Sequence, residues 1–330
     1  MKSKVFLCPI FYDSSYGSSE REEGLRGLEE RVDFLPEPAG DVTAEHAEGI
    51  VASIAGGAYY RESFYEAATD LRLIARWGVG YERVHVDLAT KYGVIVTVSP
   101  MHIKTVAEYT IAQWLAAMKR LYTLNQMAHG GNFDLVTTYE VEGTTLGLYG
   151  CGRIGQEVAR RARPLLGESG RLLIYDSRPD IAEIAGQFDG EVVDHPRVLF
   201  EESDAVSLHV SGAEEVVNYD LISRMQPHAS LINPSRGDLV NDADVHRALE
   251  EDKLVYYIVD DPPNGNREIH RGHPRVICTN HNGGTAVQSI IRMDLNTIQQ
   301  TLDALDGRPP QHILNPDVLD HPRVKGFLTT

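Results

Sequence analysis

Short apolar runs alternate with amphipathic stretches along this chain of 330 residues. In the first hundred residues the runs are 5–8, 50–54, 71–75 and 94–98. Later runs are 145–149, 171–176, 205–210, 229–233, 255–259 and 275–279. Brief apolar runs separated by helical patterns are typical of buried parallel strands in βαβ units. The pattern predicts an α/β fold with two doubly wound parallel-sheet domains.

Two longer stretches carry apolar residues at helical spacing. In the first stretch these residues are Ala107, Ile111, Trp114, Leu115, Met118 and Tyr122. In the second they are Val287, Ile291, Leu295, Ile298, Leu302 and Leu305. We interpret both stretches as helices at the joints between domains, although ordinary core packing would give the same stripes. On this interpretation residues 101–285 form one domain, inserted into a smaller domain made of residues 1–100 and 286–330.

The composition restricts the classes of partner. The chain has 48 acidic and 31 basic residues, a formal net charge of −17 and an isoelectric point near 5.2. Such a chain repels nucleic acid and anionic membranes, so we expect neither as a partner. The three widely spaced cysteines predict neither a disulfide framework nor a metal site. The apolar run near the N-terminus is too short to span a bilayer and lacks signal-peptide features, so the expected location is the cytoplasm.

The most informative motif is a glycine-rich turn between a predicted strand and a predicted helix. Gly150, Gly152 and Gly155 follow the run at residues 145–149. In such a turn the first glycine permits the tight bend, the second admits a pyrophosphate to backbone amides, and the third allows close helix packing. The next strand ends in Asp176, where a carboxylate binds the ribose hydroxyls of NAD and repels the additional phosphate of NADP. The motif predicts a Rossmann domain that binds NAD, and a glycine turn without a ligand is the alternative.

Four further loops follow predicted strands and carry glycine or polar residues. They are residues 75–81, 233–237, 260–261 and 279–284. Ligands of doubly wound sheets bind at the carboxyl ends of the strands, so these loops are candidate parts of a site.

In the glycine turn and in these loops, the chain resembles the D-2-hydroxyacid dehydrogenase family. The resemblance covers nearly the whole length of the chain. The resemblance rests on the order of the motifs. They are Gly78-x-Gly-Tyr, Val106-Ala-Glu, the glycine turn containing Arg153 and Ile154, Ser207-Leu-His-Val, Asn233-x-x-Arg-Gly, a strand ending in Asp260, and His281-x-Gly-Gly. The family implies a Rossmann NAD-binding domain inserted into a smaller flavodoxin-like domain that binds substrate. It also implies hydride transfer between NAD(H) and a small 2-hydroxy or 2-keto acid.

The resemblance implies a role for each site residue. Arg236 matches the arginine that holds carboxylate and carbonyl oxygens in a planar fork, and His281 matches the group that exchanges the hydroxyl proton. The backbone amides of Val79 and Gly80 match the cradle for the substrate carboxylate. The implied cofactor residues are Gly150, Gly152, Arg153, Ile154, Gly155, Asp176, His209, Ser235, Asp260 and Gly283. Taken singly, Arg236 could be a surface ion pair, His281 a loop histidine and Asp260 a strand-end cap.

The chain departs from the family's pattern beside the histidine. The family has a glutamate five residues after the equivalent of Asp260, where it hydrogen-bonds the catalytic histidine and keeps the pKa of that histidine high. Here Gly265 stands at that position, and the segment offers only Asp261 and Glu268 as substitutes. Three outcomes are open: one of these acids takes the role, His281 works alone, or reduction is slow and the protein has another task.

A second departure is His102, where relatives commonly carry asparagine beside the substrate. With Lys104 it would make the pocket more basic, which favours a polar or doubly charged substrate. A solvated histidine and lysine would explain the sequence equally well.

Together these observations predict an NAD-dependent 2-hydroxyacid dehydrogenase, a homodimer by family analogy. The segment 125–141 lacks clear periodicity and could be a dimer arm or an exposed loop. The alternative function is an NAD(H)-binding regulatory or interaction protein of the same fold, similar to the C-terminal-binding corepressors, with weak or no dehydrogenase activity.

Overall fold

Two structural units, each built on its own parallel sheet, make up the chain. The computed structural model describes residues 2–13, 18–212 and 214–328. The first unit comprises Met1–His102 and Thr285–Thr330, and the second comprises Ile103–Gly284. The predicted α/β class with parallel sheets is confirmed.

Strands and helices alternate through the described residues. The strands are β1 (Ser3–Leu7), β2 (Val32–Pro36), β3 (Asp41–Val42), β4 (Ile50–Ala55), β5 (Tyr59–Tyr60), β6 (Leu73–Arg76), β7 (Ile95–Val98), β8 (Thr145–Tyr149), β9 (Arg171–Tyr175), β10 (Glu191–Val192), β11 (Ala205–Leu208), β12 (Ser230–Asn233), β13 (Tyr256–Val259) and β14 (Val276–Cys278). The α-helices are α1 (Ser19–Glu29), α2 (Glu62–Ala67), α3 (Val86–Lys91), α4 (Ile103–Met118), α5 (Leu121–His129), α6 (Arg153–Leu166), α7 (Ile181–Gly186), α8 (Pro196–Glu202), α9 (Tyr219–Ile222), α10 (Asp242–Glu250), α11 (Val287–Leu305) and α12 (Pro322–Lys325). Short 3-10 helices lie at Pro9–Tyr12, Ala44–His46, Gly237–Leu239, Gly265–His270 and Pro316–Asp320.

The first unit contains a five-stranded sheet in the order β2-β1-β4-β6-β7 and a separate parallel pair, β3 and β5. With the short pair set aside, this is the 2-1-3-4-5 order of flavodoxin-like sheets. The strands β4 and β7 are buried at every position because both faces of the sheet are covered.

The second unit contains a seven-stranded sheet in the order β10-β9-β8-β11-β12-β13-β14. Within this unit the first strand, β8, lies inside the sheet. The next strands, β9 and β10, lie on one side of β8, and β11 to β14 lie on the other side. Alternate residues of β9 belong to different hydrophobic clusters, Leu172 and Ile174 to one and Leu173 to the other, so the sheet has a core on each face. The strand order reverses between β8 and β11, which is where doubly wound sheets bind ligands.

The helix predicted to continue from Ala107 to Tyr122 is divided in two. Arg120 adopts a left-handed backbone conformation with φ of 48°, so α4 ends at Met118 and α5 begins at Leu121. The segment 125–141 is also helical at its start, because α5 continues to His129. Residues 132–140 form neither helix nor strand.

The buried face of α11 differs from the predicted apolar stripe. Val287 is 49% exposed, whereas Asp294 and Gln300 are buried. Asp294 accepts a hydrogen bond from the Trp77 indole at 2.7 Å and pairs with Arg21 at 2.8 Å. Hydrophobic periodicity cannot reveal such a face, because its buried positions are partly polar. In the described ranges, no helix combines the length and hydropathy needed to cross a bilayer.

Asn315 attaches the C-terminal segment to the first sheet. Its side-chain oxygen accepts the amide of Val96 at 2.9 Å, and its side-chain nitrogen donates to the carbonyl of Val94 at 2.9 Å and to Thr90 Oγ1 at 3.0 Å. The residue is buried, so these bonds satisfy backbone groups that water cannot reach.

Replacing Asn315 by alanine leaves the Val96 amide and the Val94 carbonyl without these partners. We expect Asn315→Ala to lower the free energy of unfolding by about 2–4 kcal/mol, because each buried group left unsatisfied costs about 1–3 kcal/mol. Denaturant titration followed by circular dichroism measures the change. Asn132→Ala, at an exposed position, is the control, and equal losses in both variants would contradict the role assigned to Asn315.

Candidate active site

Most of the predicted site residues follow strands of the seven-stranded sheet. The glycine turn follows β8, Asp176 follows β9, His209 follows β11, Ser235 and Arg236 follow β12, Asp260 and Asp261 follow β13, and His281 follows β14. All these strands are parallel, so their carboxyl ends form one edge of the sheet. The second unit therefore places these residues along one edge.

The glycine turn fits a dinucleotide pyrophosphate. Gly150 has φ of 94°, and a Cβ atom there would lie 2.6 Å from the carbonyl oxygen of His209. A Cβ atom at Gly155 would lie 2.5 Å from the Gly150 carbonyl oxygen, so α6 could not start so close to β8 with a larger residue. Among the described residues, the amides of Arg153 and Ile154 donate to no protein acceptor. They lie in the first turn of α6, where backbone amides can receive phosphate oxygens.

His209 lies beside this turn as a neutral imidazole. Burial lowers its pKa to about 3. Its Nε2 atom is 2.9 Å from Ser207 Oγ, and its buried Nδ1 atom has no hydrogen-bond partner among the described residues. Ser235 donates from Oγ to the carbonyl of Leu208 at 2.8 Å, which joins the loops after β11 and β12. An orphaned polar atom next to the glycine turn is a further feature that suits a polar cofactor.

One carboxylate contacts both the arginine loop and the histidine loop. Asp261 Oδ2 accepts the amide of Gly237 at 2.7 Å, directly after Arg236. Asp261 Oδ1 lies 3.1 Å from His281 Nδ1. The Asp261 side chain is only 17% exposed, and the guanidinium of Arg267 approaches Oδ2 to 3.7 Å. Asp261 therefore joins the loop that carries Arg236 to the loop that carries His281.

The pKa values of this pair move in opposite directions. The hydrogen bond to Asp261 is the largest influence on His281 and raises its pKa, against burial and the positive charge of Arg236. Burial by itself would raise the pKa of Asp261, but hydrogen bonds from His281 and Gly237 and the nearby positive charges lower it. The contact thus favours an imidazolium beside a carboxylate.

Asp261, and not Glu268, lies against the histidine. Gly265 begins the 3-10 helix Gly265–His270. This helix leaves Glu268 68% exposed and paired with Arg271 at 3.4 Å. Of the three outcomes left open by the sequence, the geometry favours replacement of the family's glutamate by Asp261.

The adjacent Asp260 holds the turn that carries His281. Its oxygens accept hydrogen bonds from Thr279 Oγ1 at 2.6 Å, the Asn282 amide at 2.8 Å and the Gly283 amide at 2.7 Å. His281 itself has φ of 58°, a conformation that needs such support. The strand-end cap considered for Asp260 is therefore present.

Sequence reasoning missed Arg267. Its side chain is 10% exposed and approaches Asp238 to 3.3 Å and Asp242 to 3.8 Å, as well as Asp261. It therefore supplies the positive charge for three acids beside the arginine loop. No sequence motif marks it, because its partners lie in separate segments, after β12 and after β13.

The first unit contains the predicted cradle for a carboxylate. The carbonyl of Gly78 accepts the amide of Ser99 at 2.8 Å, and the carbonyl of Gly80 accepts Arg76 Nε at 2.6 Å. In the described ranges, the amides of Val79 and Gly80 donate to no acceptor within the protein. The carbonyls are thus engaged while these amides remain available for an anion.

The second departure from the family pattern lies where the units meet in sequence. His102 is partly buried and is the last residue of the N-terminal segment of the first unit, and Lys104 is exposed in the first turn of α4.

Comparisons with known proteins identify the family of the chain. The family model for the NAD-binding domain of D-isomer specific 2-hydroxyacid dehydrogenases matches residues 111–283. A glyoxylate reductase of Korarchaeum cryptofilum is 38% identical over 199 residues, which is 57% of this chain and 58% of that protein. A glyoxylate reductase of Thermococcus litoralis is 29% identical over 270 residues, 77% of this chain and 80% of that protein. The match to the first of these relatives thus spans less than two thirds of its length.

Solved structures share the fold. A 2-hydroxyacid dehydrogenase from Ketogulonicigenium vulgare has a TM-score of 0.78 and 21% identity, with 95% of this chain and 98% of that chain covered.

The chain belongs to the D-isomer specific 2-hydroxyacid dehydrogenase family, since the family model covers more than half of it. The matched model is that of the family's NAD-binding domain, which confirms NAD as the predicted cofactor.

Proposed function

We propose that this protein interconverts a small 2-hydroxy acid and its 2-keto acid, with Arg236 and His281 as the catalytic residues. The observation that carries the proposal is the position of Asp261, between the Gly237 amide and His281 Nδ1. A structural histidine on an exposed loop would need no largely buried carboxylate that also contacts the loop carrying Arg236. The glyoxylate reductases among the relatives support a small 2-keto acid as substrate.

The two side chains divide the chemistry of reduction between them. The Arg236 guanidinium binds the substrate through carboxylate and carbonyl oxygens and draws electron density from C2. NADH, when bound, supplies the hydride. His281 donates a proton to the carbonyl oxygen from Nε2, because Nδ1 faces Asp261. Asp261 keeps the imidazole oriented and protonated before transfer, and in oxidation His281 accepts the hydroxyl proton.

The cofactor residues follow from the edge of the second unit. The Arg153 and Ile154 amides bind pyrophosphate, with Gly150, Gly152 and Gly155 giving it access. We assign Asp176 to the adenosine ribose, and His209, Ser235 and Gly283 to the remaining cofactor surface. A direct contact between Asp260 and the nicotinamide amide stays a prediction, since both carboxylate oxygens already accept hydrogen bonds from loop 279–283.

The first unit, on this proposal, is the substrate-binding domain, and the amides of Val79 and Gly80 bind the substrate carboxylate. Their lack of protein acceptors in the described ranges supports this assignment. His102 and Lys104 favour a polar or doubly charged 2-keto acid. Activity confined to alkyl monocarboxylates would contradict that preference.

The proposed assembly is a homodimer in the cytoplasm. The segment 132–140 carries Phe133 and Leu135, which are 82% and 101% exposed. Large apolar side chains on a segment without regular structure suit a partner surface better than solvent. The three cysteines, Cys8, Cys151 and Cys278, are few and widely spaced, which suits a reducing compartment.

The alternative of an NAD(H)-binding interaction protein was motivated by the missing glutamate. Asp261 supplies a carboxylate next to the histidine, so the missing glutamate no longer argues for an interaction protein. Dehydrogenase activity is therefore the favoured function.

Alanine variants of the catalytic pair test the proposal. We expect Arg236→Ala to abolish turnover because the substrate loses its clamp, and His281→Ala to reduce kcat by about 100-fold or more with little change in NADH affinity. Steady-state NADH oxidation with a panel of 2-keto acids, from glyoxylate to dicarboxylates, measures turnover. Calorimetric titration with NADH measures the affinity for the cofactor. The assignment fails if both variants turn over the panel as the parent does.

The pH dependence tests the partnership with Asp261. Reduction needs protonated His281, so kcat/KM should be constant at low pH and fall only above the raised pKa of the imidazole. Asp261→Asn removes the carboxylate charge, so the descending limb should move to lower pH. The exposed Glu268→Gln is the matched control and should keep the parent profile. Equal profiles for Asp261→Asn and the parent would exclude this partnership.

A further inference from the structure

Asp176, the acid at the end of β9, is part of an ion pair. Its Oδ2 atom accepts the Cys151 amide at 2.7 Å, which fixes the carboxylate against the glycine turn. Its Oδ1 atom accepts the Arg178 amide at 3.0 Å and lies 3.2 Å from Arg178 Nε. A ribose bound here would meet a carboxylate and a guanidinium together. The repulsion expected of a lone aspartate towards NADP is therefore reduced.

Arg178 is held in place and still has donors to offer. Its Nη2 atom donates to the carbonyl of Cys151, so the side chain spans from Asp176 to the glycine turn. Among the described residues, Nη1 makes no hydrogen bond, and the side chain is 36% exposed. The neighbouring Ser177 is exposed and adds a hydroxyl donor. A planar guanidinium with unused N–H groups suits the oxygens of a phosphate.

We propose that the protein accepts NADP(H) as well as NAD(H), with Arg178 binding the phosphate on the 2′ position of the adenosine ribose. In this arrangement Asp176 binds the ribose hydroxyls of NAD, and for NADP its charge is offset by Arg178. The inference rests on the cofactor site of the proposed function, but it does not depend on turnover.

The proposed phosphate site is separate from the proposed catalytic residues. Asp176 and Arg178 follow β9, whereas Arg236 and His281 follow β12 and β14, on the other side of β8 in the strand order. Both cofactors would thus present the same nicotinamide to the catalytic pair, and Arg178 would act on selectivity between cofactors alone.

Fragments that lack nicotinamide test this directly. We expect the parent protein to bind ADP-ribose and 2′-phospho-ADP-ribose with dissociation constants within about tenfold of each other in calorimetric titrations. Arg178→Ala should weaken the binding of 2′-phospho-ADP-ribose by about tenfold or more, because a charge-assisted contact to phosphate is lost. The binding of ADP-ribose should weaken much less. In the same variant, the ratio of kcat/KM with NADPH to kcat/KM with NADH should fall.

The matched control is Arg197→Ala. Arg197 pairs with Asp220 at 3.2 Å, as Arg178 does with Asp176, but it lies on α8. The Arg197→Ala variant should bind ADP-ribose and 2′-phospho-ADP-ribose with the affinities of the parent protein. If the parent binds ADP-ribose but binds 2′-phospho-ADP-ribose more than about 100-fold more weakly, the inference fails while the cofactor site stands. Equal loss of affinity for both ligands in Arg178→Ala has the same consequence. Failure of the parent to bind either fragment overturns the cofactor site as well.

Discussion

The proposed catalytic constellation of this chain depends on a largely buried carboxylate that makes two contacts. Asp261 accepts the Gly237 amide with one oxygen and faces His281 Nδ1 with the other. The first contact joins the loop after β12 to the loop after β13, and the second joins the loop after β13 to the loop after β14. Arg267 places a positive charge beside this acid, which is mostly removed from water. The carboxylate thus contacts the imidazole and raises its pKa at the same time.

The fold supplies the setting for this contact. A parallel sheet collects the loops that follow its strands at one edge, and the order β9-β8-β11 opens that edge at the glycine turn. Loops at such an edge differ freely in length and sequence, because the strands beneath them keep their register. The proposed replacement of the family's glutamate by Asp261 is an example. β13 ends at Val259, two residues before Asp261, and a 3-10 helix begins at Gly265, where the family's glutamate would stand.

The sequence predicted the features that depend on local geometry. The glycine turn and Asp176 were foreseeable because strand, turn and helix are contiguous there, and the buried strands because they are continuously apolar. The choice between Asp261 and Glu268 was not, since it depends on the path of loop 260–270. The break at Arg120 and the buried Asp294 also escaped prediction: one is a single backbone angle, and the other is a polar group satisfied by distant residues. The roles of the site residues themselves stay predictions.

The most direct test of the account is the titration of His281 by NMR, with histidine labelled with ¹⁵N and the resonance assigned by comparison with His281→Ala. In the parent protein the imidazole should titrate above its ordinary value of 6.5, and in Asp261→Asn its pKa should fall. The same midpoint in both proteins would contradict the claim that Asp261 governs the histidine.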